Sequence, residues 1–175
     1  LIAFDVLLDR GAGRRDDRRM PPWSHFAAAA PELAAEVRRR LQAHTHLTLA
    51  TLRRDGAPRI SGTEIQLTDG ELWIGSMHGA LKARDLQRDP RFALHSGSDD
   101  PPGFRGDAKV AGRAHEITDP EVVAEHNGAV SGDRPSHLFR LDVEEASTVT
   151  VNEDETALVI QVWTPDGGVR TIERA

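Results

Sequence analysis

The stretch His46–Gly97, HLTLATLRRDGAPRISGTEIQLTDGELWIGSMHGALKARDLQRDPRFALHSG, decides the fold. Apolar residues alternate with polar ones through its first half, the pattern of half-buried strands. Leu47, Leu49 and Thr51 share one side of a first strand, and Thr48, Ala50 and Leu52 the other. Asp55-Gly56 supplies the positive φ that a tight hairpin needs. A second strand, Pro58 to Leu67, places Arg59, Ser61, Thr63, Ile65 and Leu67 on one face and Ile60, Gly62, Glu64 and Gln66 on the other. Asp69-Gly70 turns the chain into a third strand, Leu72-Trp73-Ile74. Gly62 and Gly75 fall inside strands, where a glycine marks a bulge or a place where a ligand approaches the backbone.

Outward from this stretch the same reading continues. Ala80 to Asp89 is a short helix stopped by Asp89-Pro90, since the residue before proline disfavours the helical region. Arg91–Ser96 and Arg105–Ile117 are strands, the latter bending at Gly112. Thr118-Asp119-Pro120-Glu121 starts a helix, with Thr118 and Glu121 at capping-box spacing, and Asn127-Gly128 ends it. Residues 129–136 read as a mobile loop, 139–143 and 149–151 as separate strands, and Leu158–Trp163 pairs with Val169–Ile172 across Pro165-Asp166-Gly167-Gly168. Upstream, Pro31–His44 is an amphipathic helix with Leu33, Val37 and Leu41 inward and Arg38, Arg39 and Arg40 in solvent. Seven or eight short strands with two or three short helices predict a mainly β fold, a closed or partly closed barrel. No strand runs into a Gly-rich turn and a long helix, which excludes a βαβ nucleotide fold.

Composition narrows the function. The 175 residues make one domain, large enough to bury a core unaided. Absence of cysteine excludes disulfides, thiolate metal sites and cysteine nucleophiles, and fits a reducing cytoplasm. The net charge of −6 argues against nucleic acid as a partner, and no apolar run is long enough for a membrane helix. Residues 1–19 differ from the rest, with a short apolar start and a mixed-charge, glycine-containing run. They read as a poorly ordered extension or upstream remnant before Met20, with residues 20–175 as the folded domain.

Lys82, at the start of a short helix after Ser76-Met77-His78-Gly79, is the first candidate for chemistry. Free N–H groups at a helix start and an ammonium together make an anion site. Arg59 adds a fork of donors, or else pairs with a carboxylate, and Ser76 adds a hydroxyl. The histidines do not have metal-site spacing: His44 and His46 straddle a helix end and a strand start, and His78, His95, His115, His126 and His137 are scattered. No Gly-x-Ser-x-Gly frame surrounds Ser61, and Glu144-Glu145 and Asp154-Glu155 read as solvated charges.

With ATLRRDGAPRISGTE, DGELWIGSM and LKARDLQRDPRFAL on the page, the chain resembles the pyridoxamine 5′-phosphate oxidase-like family of FMN-binding split β-barrels, over about residues 31–175. The resemblance implies a flavin-dependent oxidoreductase acting on a small molecule, and a homodimer with FMN at the subunit interface. It implies that Arg59 and Lys82 reach the flavin phosphate. Ile60, Ser61 and Gly62 would run beside the isoalloxazine ring, and Ser76 and Met77 would lie near the ribityl chain. A flavin carries the hydride itself, so the scarcity of acid/base groups suits it. The family's Ser-Arg-Lys phosphate motif reads Ala80-Leu81-Lys82 here. Its closing Arg-Leu-x-Pro is absent, the chain ending Glu173-Arg174-Ala175, and so are the basic residues for pyridoxal phosphate. The substrate is therefore left open. The alternatives are a reductase using the deazaflavin coenzyme F-420 in the same cleft, and a flavin- or haem-binding protein without turnover, with His78 and His95 as haem ligands. Removal of residues 1–19 is expected to leave the thermal melting midpoint unchanged; a large drop would show that the segment packs on the core.

Overall fold

The alternation of the first strand is what the computed structural model shows in β1 (Leu47–Leu52), where Leu47, Leu49 and Thr51 are buried. The structure describes residues 22–99, 103–104, 106–131 and 135–175, so the expectation for residues 1–19 lies outside the described residues. β1 pairs with β2 (Pro58–Thr63) across the Asp55-Gly56 turn. β2 stops at Thr63, however, and the chain re-forms as β3 (Gln66–Thr68), which pairs only with β4 (Glu71–Met77). The single strand expected over Pro58–Leu67 is therefore two. The alternation runs on across Glu64-Ile65, while the chain leaves one end of the sheet and joins the other.

After β4 come α3 (Leu81–Arg88), within one residue of expectation at each end, then β5 (Arg91–His95) and β6 (Asp107–Ile117). α4 (Pro120–Ser131) follows. Its cap is Asp119, whose Oδ1 accepts the Glu121 N–H at 2.9 Å, and not Thr118. It runs past Asn127-Gly128, so residues 129–131 are helix rather than loop. β7 (Ser136–Val151) is one strand where two were expected. β8 (Leu158–Thr164) and β9 (Gly168–Arg174) form the expected hairpin.

The break in the β7 pattern has a local cause. Its register with β6 shifts between Ala111 and Gly112: Ala111 faces Glu145 and Gly112 faces Val143, so Glu144 is the extra residue of a bulge. Phe139, Leu141 and Val143 point into the core before it, and Ala146 after it, so the buried positions change from odd to even. A period-two reading takes such a shift for the end of a strand. Gly112 makes the close approach possible, because a Cβ there would run into the Asp142 carbonyl oxygen. Glu144 is used as well, accepting from Arg113 Nε at 2.9 Å.

All pairings are antiparallel, in the order β2-β1-β5-β6-β7-β4-β3, with β8 on the second half of β7 and β9 on β8. The sheet curls until β2 and β4, near its opposite ends, face each other: a split β-barrel. α1 (Trp23–Ala29) and α2 (Pro31–Leu41) close the core. Leu33, Val37 and Leu41 are buried as expected, and Phe26 packs on Trp163 with ring centroids 4.8 Å apart. Arg38 and Arg39 are exposed, but Arg40 is not. It pairs with Glu36 at 2.5 Å and lies over Gly106 at the entry to β6. A second, small cluster of Val149, Ile160 and Val162 supports the β8–β9 hairpin. Gly112→Ala is expected to lower the unfolding free energy by at least about 2 kcal/mol in urea denaturation, because the new methyl meets backbone that cannot swing aside.

Candidate functional site

Where β2 and β4 face each other across the split, a cleft of about 270 Å³ opens. His46, Gly62, Thr63 and Glu64 line it from the β1–β2 side, and Gly75, Ser76 and Met77 from β4. Ala80 and Lys82 come from the start of α3, and Asn127 from α4. The location follows from topology. β2 is an edge strand, so one side of its backbone has no strand partner.

Lys82 crosses the cleft and donates from Nζ to the Gly62 carbonyl at 2.7 Å. Burial pushes its ammonium below the ordinary lysine range, and Glu64 partly offsets this. The first N–H groups of α3 have no partner within the helix, and Ala80 brings no capping side chain. Ser76 is buried and its Oγ has no hydrogen-bond partner. A Cβ built on Gly62 would meet nothing within 4 Å, so this glycine faces open space, and its register with β1 is continuous rather than bulged. Gly75 has a different reason: a Cβ there would stand 2.6 Å from Asn127 Oδ1. The Asn127 amide is held by its Nδ2, which donates to Ser136 Oγ at 3.0 Å and the His137 carbonyl at 3.1 Å.

Arg59, also on β2, does not line this cleft. Its Nε donates to Asp85 Oδ2 at 2.6 Å, and Thr51 Oγ1 donates to the same oxygen at 3.0 Å. Arg88 Nη2 reaches Asp85 Oδ1 at 3.1 Å and also the Leu52 carbonyl. Burial pushes the Asp85 carboxyl up, but the hydrogen bonds from Arg59, Arg88 and Thr51 outweigh it and hold the group below the ordinary carboxylate range. With Arg53, Arg54 and Asp55, Arg59 lines an open hollow of about 510 Å³ beside the β1–β2 turn.

The profile of the pyridoxamine 5′-phosphate oxidase family matches residues 33–150. The chain belongs to this family. No curated protein sequence matches. Among solved structures, PhzG from Burkholderia lata 383, in complex with tetrahydrophenazine-1-carboxylic acid, superposes with a TM-score of 0.58 at 16% identity, over 88% of this chain and 93% of that one. HutZ, the haem storage protein of Vibrio cholerae, gives 0.51 at 21% identity over 64% and 90%. A haem-binding protein of Mycobacterium smegmatis gives 0.52 at 17% identity over 79% and 86%. At these identities the likeness is one of fold.

Of the residues that the family resemblance singles out, Gly62, Ser76, Met77 and Lys82 come together in the cleft. Arg59, Ile60 and Ser61 are not among the residues that line it, and Ile60 is 75% exposed. Arg59 pairs with a carboxylate, one of the two readings its sequence position offered. The sequence reading missed His46, Glu64 and above all Asn127, which it took for a helix end. The signal for Asn127 was Gly75, whose missing side chain is filled by the amide. Among the described residues no group of three or more His, Asp or Glu could hold a metal ion. Asp85→Asn is expected to cost about 3 kcal/mol at neutral pH by removing the buried carboxylate's charge from half-buried Arg59. The folded Asp85 carboxyl ionises at lower pH than in the unfolded chain, about 3.9. The stabilisation is thus complete above that value and lost as pH falls through the folded one. Denaturation curves of wild type and variant should converge there.

Proposed function

We propose that this protein is an FMN-dependent oxidoreductase of a small molecule, working as a homodimer with the flavin in the cleft between β2 and β4. The observation that carries the reading is the meeting of Lys82 Nζ, the open N–H groups of α3 and the buried, partnerless Ser76 Oγ at the bare edge of β2. An ammonium and a helix start suit a phosphate, and a hydroxyl without a partner suits a polyol chain. Gly62 leaves room for a flat ring against the backbone.

Bound flavin supplies the hydride chemistry. The residues hold and orient it. Lys82 would exchange the Gly62 carbonyl for a phosphate oxygen, which frees that carbonyl for the ring's polar edge. Ile60, Ser61 and Gly62 would offer backbone groups to it, and Ser76 and Met77 would hold the ribityl chain. Arg59 binds Asp85 through Nε, which leaves its terminal nitrogens for the phosphate. Ile60, Met77 and Leu81 are large apolar side chains left 75%, 80% and 56% exposed. They lie on or beside the elements that form the cleft and suit burial against a second copy of the chain.

Haem binding without turnover is the second reading. It rests on His78, exposed next to Met77 at the cleft, and on the haem proteins among the similar folds. His95, the other suspect, has its Nδ1 accepting the Gly97 N–H at 3.1 Å and its Nε2 3.4 Å from Asp107. The visible spectrum of freshly purified protein, followed by titration with FMN, deazaflavin and haem, tests the reading. One FMN per subunit supports it. Uptake of deazaflavin alone moves the cofactor to that coenzyme, and a haem band lost in His78→Ala moves it to haem. Lys82→Ala is expected to weaken FMN binding roughly ten- to a hundredfold, the worth of a charged hydrogen bond. Unchanged affinity would overturn the phosphate assignment.

A further inference from the structure

The turn from Met77 to Ala80 joins the end of β4 to the start of α3 and so sets where Lys82 enters the cleft. The Ala80 N–H closes it on the Met77 carbonyl at 3.1 Å. The Gly79 N–H, inside the turn, donates to His137 Nε2 at 3.2 Å. His137 stands opposite Ser76 in the β4–β7 register, and its side chain is 13% exposed. Its Nδ1 is 2.6 Å from Glu116 Oε1. Glu116 in turn accepts from Gln87 Nε2 of α3 at 2.9 and 3.0 Å. His78, from the turn itself, stacks on His137 with ring centroids 5.5 Å apart and planes 4° from parallel.

These contacts fix the tautomer. A backbone N–H only donates, so Nε2 carries a lone pair and Nδ1 carries the hydrogen that Glu116 accepts. The ring so bonded is neutral. A second proton can add only at Nε2, the atom that Gly79 uses. Two N–H groups would then face each other, and the turn would lose its anchor.

We propose that Glu116 and His137 form a proton-sensitive latch on the turn that delivers Lys82 to the cleft, closed with the imidazole neutral and open with it protonated. His137 is a positioning residue: it acts through Gly79 on the α3 start and Lys82. The functional consequence rests on the reading of the cleft as a flavin-phosphate site. The groups facing the ring pull in both directions. Glu116 of β6 favours the imidazolium. His78, when charged, opposes it, as does Arg84 of α3, whose Nη2 lies 3.5 Å from the place of a Cβ on Gly79. β4 presents the neutral Ser76. The net direction is fixed by the bond that is lost: phosphate binding weakens as pH falls.

The test uses the full chain, with two readouts between about pH 5.5 and 8, the range in which an imidazole ordinarily changes charge. NMR without ligand follows the Gly79 amide and the His137 ring, and flavin fluorescence gives FMN affinity. FMN phosphate itself loses charge near pH 6, so the informative comparison is with His137→Gln, whose amide oxygen can accept the Gly79 N–H and cannot be protonated. Across this range wild-type affinity is expected to fall about three- to tenfold more than that of the glutamine variant. His137→Phe should bind weakly throughout. The Gly79 amide should titrate together with the ring. Glu116→Gln, which leaves the ring in place, should move that titration to lower pH by removing the charge that favours the imidazolium. A Gly79 amide that stays flat while His137 titrates, or identical pH profiles in wild type and His137→Gln, would overturn the latch. If the amide tracks the ring and FMN binds nowhere in the range, the latch holds and the cofactor reading is what fails.

Discussion

The buried carboxylate of Asp85 is the point on which the cleft depends. It lies on α3, yet its partners are Thr51 of β1, Arg59 of β2 and Arg88 one turn further along the helix. A short helix has little stability of its own, and its place is set by what it docks against. Here apolar Ala83 and Leu86 supply the docking energy, and Asp85 supplies the orientation. A charge taken out of water is tolerable only where hydrogen bonds surround it, so the helix has few other positions open to it. Because Lys82 lies one turn before Asp85, the same constraint aims the lysine at Gly62.

How much of this was legible depends on the range of the interaction. β1, α3 and the β8–β9 hairpin follow from local alternation, Asp-Gly and Pro-Asp-Gly turns and the Asp89-Pro90 stop. They appear nearly as read. Three of the misreadings turn on a neighbour distant in sequence. Thr63 and Gln66 belong to different strands because β1 and β4 claim them separately. β7 is continuous because β6 runs along all of it and absorbs the parity change at Gly112. Arg40 is buried because Glu36 and Gly106 meet it there. Of these neighbours Glu36 and β4 fall within ten residues of the positions they decide, while β1, β6 and Gly106 lie well outside such a window.

The candidate site divides in the same way. Lys82 after a glycine-containing turn, with Ser76 ahead of it, is a local pattern, and the structure brings both to the cleft. Arg59 was readable as a basic residue on the right strand. Its commitment to Asp85, twenty-six positions away, was not. Asn127 and His137 carried no local motif. They matter because β7 pairs with β4 and α4 packs on both, a fact of topology.

The bare edge of β2 carries one more consequence, for solubility. An open strand edge is a template on which another chain can add, and proteins guard such edges with charge, with proline or by covering them. β2 begins at Pro58, which has no N–H to offer, and near its other end the Gly62 carbonyl is held by the Lys82 ammonium. By holding that carbonyl, Lys82 serves as a guard against strand addition.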